Sequence, residues 1–470
     1  MDVRLAAGVA RTEITPPPGI AHANWGAQSH ERAAGVDRPL FATALALGED
    51  EPAVVVDLDV LYLWPSDARR IRSTAADLAN VPESHVRLSY THTHSGPTLN
   101  RETWADEGTE MIEPYLDALE QHVAGVTWQA VREREPAQLA VGTATCDIAV
   151  NRRFRRPEDG EVIVGRNPGG PVDNEVYVLR IDADDNPLAT VVNYACHPIT
   201  VGPDNDRITP DFPGVAKETV ETATGSTCFY LQGAAGDVGP VRGVARGGID
   251  EYEALGRRLG HAIGHTWWRL DPQDRRERYA ETLPSGAPLA VYETEYPDPE
   301  PRPVTVATEE ISLPVRDLPT PTEARAEYER SAGRLAELRS ENAPAEAIQN
   351  AVKDARQAEI RSGVAARFAG RESESIEAQV ITVGRDIALV SIPGEPFVQV
   401  QQAVKQRSPF AHTFVSGYSN AGIAYLPTAD AYEEGGYEVE VTPFAPRAAE
   451  HAIDELVAIL DTRAQAVSQD

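Results

Sequence analysis

The chain has 470 residues, 41% of them hydrophobic, and a formal charge of −30 at pH 7. The apolar share supports a substantial core and excludes a disordered protein; the length fits one large catalytic domain with insertions or two to four ordinary domains. The charge excludes nucleic acid and anionic membrane surfaces as general partners.

In chain order, residues 40–47 and 53–61 read as buried strands, the second bearing Asp57 and Asp59. Helical spacing over 67–78 leads to a strand at 86–90, and a longer amphipathic helix covers 110–131. This βαβ cadence predicts a sheet with helices on its faces. Residues 176–181 and 188–194 read as a strand pair joined by the turn 182–186, and 228–231 as a short strand before Gly236-Asp237. A helix over 251–270 carries His261 and His265 at i, i+4. Residues 284–304 are proline-rich and read as irregular. From 322 to about 361 the composition turns to Ala, Glu and Arg, and Asn342-Ala343-Pro344 breaks it into a helical hairpin. Strands at 378–383 and 387–392 then lead into Pro393-Gly394-Glu395, and the last helix covers 447–465.

The segment 91–97, Thr-His-Thr-His-Ser-Gly-Pro, is the most informative. Alternation along the preceding strand puts Val86, Leu88, Tyr90, His92 and His94 on one side, apolar where the strand is buried and imidazole where it emerges. Paired imidazoles at a strand end suit a transition metal such as zinc; a polar strand terminus bonded only to backbone is the alternative. Three more strand ends carry polar residues: His197, Asp237 and Glu395. Sites in open α/β sheets assemble outside strand ends, and two or three histidines with one carboxylate suffice for a catalytic zinc with an open position.

The motifs THTHSGP (91–97), NxxxHP (193–198), GDVxP (236–240) and PGE (393–395), after the opening Ala7-Gly8-Val9-Ala10-Arg11-Thr12-Glu13-Ile14-Thr15-Pro16, occur in this order. In them the chain resembles the catalytic domain of the neutral/alkaline, non-lysosomal ceramidases over nearly its whole length. The resemblance implies a zinc amidase cleaving the N-acyl bond of a sphingolipid, with one Zn2+ ion per chain. It implies His92, His197 and Glu395 as metal ligands, and Tyr425 in Ser419-Asn420-x4-Tyr as a phenolic one. His94 then sits beside the metal as proton acceptor and donor, while Arg152 and Tyr437 would donate to the oxyanion. The family's GDVSP serine is Gly239 here, so attack by metal-activated water is expected in place of a serine nucleophile. The family's C-terminal β-sandwich and secretion signal do not appear, and an N-acyl amide other than ceramide is the expected substrate.

Other readings are weaker. TIM-barrel metal hydrolases need further histidines and often a lysine on later strands, and Lys217 has no histidine on the following strand. The HxHxDH pattern is absent because Ser95-Gly96-Pro97 follows His94. His261 and His265 lack the glutamate of HExxH and read as helix packing. Only Lys217, Lys353 and Lys405 are lysines, which with the acidity suggests a halophile's high-salt cytoplasm. Cys146, Cys196 and Cys228 show no CxxC spacing, so a reducing compartment is expected. No apolar run reaches the ~18 residues of a membrane helix, and residues 1–6 show no signal peptide. The expectation is a single α/β domain over 1–470, with mixed β-sheets flanked by helices and a helical hairpin inserted at 320–365. It is expected to be a cytoplasmic amidohydrolase taking a small-molecule or lipid amide, without stable membrane insertion. The alternative is a catalytically silent zinc-binding relative that binds lipid or another ligand.

Overall fold

The computed structural model describes residues 5–28, 30–100, 105–183, 186–297 and 301–469; the first four residues and the tip of the 182–186 turn lie outside these. Two mixed sheets stack face to face with helices on both outer faces, an α/β architecture. The larger sheet orders its strands Thr227–Gln232, Asn186–Tyr194, Glu175–Ala183, Glu135–Thr145, Ala6–Glu13, Phe41–Leu47, Ala53–Leu58 and Val86–Tyr90. Its two edge pairs, Ala53–Leu58 with Val86–Tyr90 and Asn186–Tyr194 with Thr227–Gln232, run parallel. The smaller sheet orders Val304–Pro314, Ser373–Val383, Ile387–Ser391 and His412–Ser416.

Both faces of the larger sheet are apolar, so both are covered. Leu45, Val55, Leu179, Val191 and Phe229 meet Ile381, Val383, Leu389 and Phe414 of the smaller sheet in one core. The opposite face packs Val54, Val56 and Leu88 against helices Pro65–Ala79, Ile112–Arg132, Asp211–Thr224 and Ile249–Trp267 through Ile71, Leu116, Val215 and Leu259. On the far side of the smaller sheet, Ala388 and Val390 pack on the helices Val398–Arg407 and Ala448–Gln469 through Val404 and Leu456.

Hydrogen bonds fix the register between the sheets where apolar contact cannot. Asn193 donates its amide to the carbonyls of Leu231 (2.9 Å) and Val415 (3.0 Å) and accepts from the Val415 N–H (3.0 Å). The buried Arg87 likewise donates to the Gln379 side chain (2.7 Å) and the Leu389 carbonyl (2.8 Å). Buried polar groups of this kind permit one alignment of the layers and penalise the rest.

The strand expected at 86–90 forms over those residues, and the expected helical hairpin comprises Pro321–Ser340 and Ala345–Phe368. Region 284–304 is not irregular throughout: Leu289–Glu295 pairs with Arg276–Leu283 in a mostly exposed hairpin. Nearly all of its charged and apolar residues face water, so its sequence lacks the alternation that reveals a half-buried strand. His261 and His265 are exposed on the helix Ile249–Trp267 and pack in no core. The cysteines are free and buried. Among the described residues no helix is long and apolar enough to cross a membrane.

Asn193→Leu removes three inter-strand hydrogen bonds while keeping side-chain volume. A loss of about 2–4 kcal/mol is expected, because the orphaned backbone groups stay buried; denaturant melts of the two proteins measure it.

Candidate metal centre

The strand that carries the THTHSGP segment ends at Tyr90, before the histidines. His92 adopts φ +66°, a left-handed conformation that breaks the strand alternation. Strand periodicity therefore does not place His92 and His94; backbone contacts to neighbouring segments do. His92 donates its N–H to the Val60 carbonyl (3.0 Å), and its Nδ1 lies 2.9 Å from the Leu61 carbonyl. His94 Nδ1 lies 3.0 Å from the Asn24 carbonyl, and His197 Nδ1 lies 3.1 Å from that of Ala235.

A carbonyl oxygen only accepts, so each Nδ1 carries the proton and each Nε2 presents a lone pair. The three Nε2 atoms converge: His92 and His94 each stand 3.1 Å from His197 at that atom. Glu395 Oε2 completes the group at 3.5 Å from His92 Nε2 and 3.8 Å from His197 Nε2. That oxygen is buried and, among the described residues, accepts no hydrogen bond.

Donors about 2.0–2.1 Å from a tetrahedral zinc lie roughly 3.3–3.4 Å apart, which the observed 3.1–3.8 Å separations bracket. Imidazole lone pairs and a carboxylate oxygen facing one another repel unless a cation lies among them. The donor set thus fits a divalent transition metal, and among the described residues His92, His94 and His197 form a group able to hold one. Burial, reinforced by neighbouring imidazoles and Arg152, keeps the His94 and His197 pKa values well below the usual histidine range, favouring the neutral, ligating form.

Glu395 reaches this point through a chain crossing. Glu395-Pro396 pairs in parallel with Tyr425-Leu426, setting Glu395 opposite Tyr425. The Gly236 N–H donates to the Pro396 carbonyl, and Asp237 accepts from the Val398 N–H (2.8 Å) and from the Asn151 amide (2.9 Å). The loop with Asp237 therefore clamps the Glu395 turn against the strand bearing Arg152. Burial raises the Asp237 pKa to about 7, with Glu438 adding to the rise and the Val398 N–H opposing it.

Tyr425 is brought to the edge of the group, where its hydroxyl accepts a hydrogen bond from Arg152 Nη2 (3.0 Å); the Tyr437 ring packs edge-on to it with centroids 5.7 Å apart. Ser419-Asn420 supports this segment, since the Asn420 side chain accepts from the Leu88 N–H and its backbone N–H donates to the Leu88 carbonyl. Arg152 is buried and not a surface charge. Burial opposes its charge, but Tyr425, Glu438 and Glu395 outweigh that and hold its pKa well above the usual arginine value.

Four residues of this site carried no sequence signal of their own. Glu438, buried, takes Arg152 Nε on one oxygen (2.9 Å) and Arg153 Nη1 on the other (3.0 Å). Its only cue is adjacency to Tyr437, where Gly435 and Gly436, both at positive φ, turn the chain inward. Tyr418 packs its ring 4.3 Å from that of His92 and its hydroxyl 3.4 Å from His197 Nδ1. Tyr62 and Arg367 line the recess that opens onto His92, Glu395 and Tyr418. Gly239 sits beside Arg152: a Cβ there would meet Ile199 at 3.6 Å and Arg152 at 3.7 Å, ordinary contact distances.

Two solved structures share this fold. The neutral ceramidase from Pseudomonas aeruginosa superposes with a TM-score of 0.66 at 17% identity, covering 98% of this chain and 75% of that one. A ceramidase complexed with C2 gives 0.64 at 17% identity, covering 98% and 76%. No protein-family model and no curated protein matches the sequence. The resemblance read from the motifs is thus matched by the fold.

Two predictions follow from the packing here. Gly239→Ser should fold normally and keep its melting temperature, whereas Gly236→Ala, whose methyl collides with the Glu395 carbonyl oxygen, should lose about 1–3 kcal/mol and bind metal more weakly. Thermal melts with metal titration separate the two variants. Glu438→Ala leaves two guanidinium groups buried without their shared carboxylate and should cost about 3–5 kcal/mol in denaturant melts.

Proposed function

We propose that the protein is a metal-dependent hydrolase that cleaves an N-acyl amide, a hydrolase of the ceramidase type in its donor set and fold. The observation that carries this reading is the convergence of three imidazole Nε2 atoms and one carboxylate oxygen beside a recess that His92 and Glu395 line. His92, His197 and Glu395 would hold the ion, with Tyr425 at the edge of the set, and zinc is the metal proposed. When bound, such an ion supplies Lewis acidity to an amide carbonyl and lowers the pKa of a water towards ~7.

The chain's own residues do the rest. His94, neutral and turned by its bond to Asn24, offers Nε2 to accept a proton from the attacking water and return it to the leaving nitrogen. Arg152, fixed by Glu438, positions the Tyr425 hydroxyl and keeps a positive charge beside the carbon under attack. Tyr437 offers its hydroxyl to the developing oxyanion. With glycine at position 239 the serine hydroxyl of GDVSP is missing, and water is the proposed attacking group.

The purified protein, assayed in high salt on fluorogenic N-acyl amides and esters, should lose activity to a chelator and regain it with zinc. His92→Ala and His197→Ala should lose metal and turnover together; full metal occupancy in either contradicts the assignment. His94→Ala should keep the metal and lose at least about a hundredfold in kcat. Loss of the metal instead places His94 in the donor set. A zinc-loaded wild type inert on every amide and ester tested supports the silent, ligand-binding alternative.

A further inference from the structure

The hairpin of Arg276–Leu283 and Leu289–Glu295 belongs to neither large sheet: its strands pair with each other and, among the described residues, with no other strand. Nearly all of its residues are exposed. An isolated two-stranded hairpin is marginal in water, so a surface that shields this one would stabilise it. Its chemistry changes along its length. At the base, Arg278 pairs with Glu295 (2.5 Å) and Glu293 (3.2 Å), and Arg276 with Asp274 (2.6 Å). Further out, Tyr279 and Tyr292 stand opposite each other in the register, with ring centroids 6.4 Å apart. The tip, residues 283–289, reads Leu-Pro-Ser-Gly-Ala-Pro-Leu and carries no charge. Between 279 and 292 Glu281 is the single charged residue, in a chain whose residues are 25% charged.

Leu283, Leu289, Tyr279 and Tyr292 are each more than half exposed. A second copy of the chain covers such a surface poorly. Strands of this length, rising ~3.3 Å per residue and lying ~4.8 Å apart, give a hairpin face on the order of 250 Å². A stable interface takes about 800 Å² from each partner. Two chains of charge −30 also repel each other, and the register shift between Tyr279 and Glu281 blunts that edge against an added strand. A lipid surface needs less area: a few apolar side chains beneath the headgroups, and amphipathic tyrosine rings among them. The tyrosines lie three to four residues behind the tip leucines, about 10–13 Å along the strands. Leucines entering the acyl boundary therefore leave the rings at the headgroup level.

We propose that this hairpin is a lipid-docking element that seats its tip in a neutral or zwitterionic lipid surface, with Tyr279 and Tyr292 at the headgroups. A chain of charge −30 approaches a surface of that kind without the repulsion an anionic one imposes. The contact is peripheral, because only the uncharged tip enters the apolar layer. Long-chain amides reside in such surfaces, and docking would concentrate the protein beside them. The contact involves no turnover, so it stands or falls separately from the amidase reading.

The test floats the purified protein with phosphatidylcholine vesicles in high salt. Wild type should rise with the vesicles, and Leu283→Ser combined with Leu289→Ser should lower its partition coefficient at least about tenfold. Leu78→Ser, which alters a similarly exposed leucine on the helix Pro65–Ala79, should leave partition unchanged. All these side chains are exposed, so without vesicles each variant should keep the wild-type melting temperature. Leu289→Trp gives a second readout: relative to wild type, its added emission should shift to the blue with vesicles and be quenched by lipids brominated on the acyl chain. Absence of wild-type flotation overturns the proposal, as does equal flotation of the doubly substituted variant. Flotation with phosphatidylglycerol vesicles alone would make the contact electrostatic and overturn it too. A lower melting temperature in the doubly substituted variant would assign the leucines to the fold. Sedimentation showing a dimer which that variant abolishes would assign the tip to a second copy; either result ends the lipid-docking proposal.

Discussion

The orientation of three imidazole rings governs the site. Each turns Nδ1 to a backbone carbonyl, of Leu61, Asn24 or Ala235, and so directs an Nε2 lone pair to one common point. The three carbonyls belong to three separate segments of chain. None can move without rotating a ring, and a metal centre depends on such outer contacts as much as on its donors. The unpaired Glu395 oxygen faces the same point. Electron-rich atoms at these spacings repel one another, and a cation among them would relieve that repulsion.

Those segments stay in place because the sheets behind them are locked in register. Asn193 bridges the two sheets four residues before His197, and Arg87 does so five residues before His92. The same strands that bury the core therefore set the distance between the imidazoles. Around the donors lies a second tier, in which Glu438 binds Arg152 and Arg153 while Asp237 ties the Arg152 strand to the helix that follows Glu395. Charges this deeply buried stabilise the fold weakly on balance but make alternative packings expensive. Rigidity at the site, not extra stability, is the outcome.

The site departs in charge from the rest of the molecule. A chain with net charge −30 repels anions at long range, yet the recess over the donors is lined by a guanidinium and the tier below by another. Screening by salt weakens the distant repulsion far more than the contact between a buried guanidinium and its partner.

Much of this was legible in the sequence. Apolar runs at 40–47 and 53–61 marked the strands that form at Phe41–Leu47 and Ala53–Leu58, a composition rich in Ala, Glu and Arg marked the hairpin arms, and ordered motifs singled out His92, His94, His197, Glu395, Tyr425, Arg152 and Tyr437. The exposed hairpin Arg276–Leu283 with Leu289–Glu295 escaped because it buries neither face and so has no periodic signature. Glu438 and Tyr418 escaped because a buried carboxylate or a ring beside a ligand is written in no local pattern. Sequence by itself determined which side chains were candidates for metal chemistry and that alternating layers would form, since residue type and hydrophobic period are local properties. Only the tertiary structure decided that His92 leaves the strand in a left-handed turn, that Glu438 neutralises two arginines, and that a hairpin arm brings Arg367 to the recess. Each of those depends on contacts between segments up to about three hundred residues apart, and no short-range pattern records them.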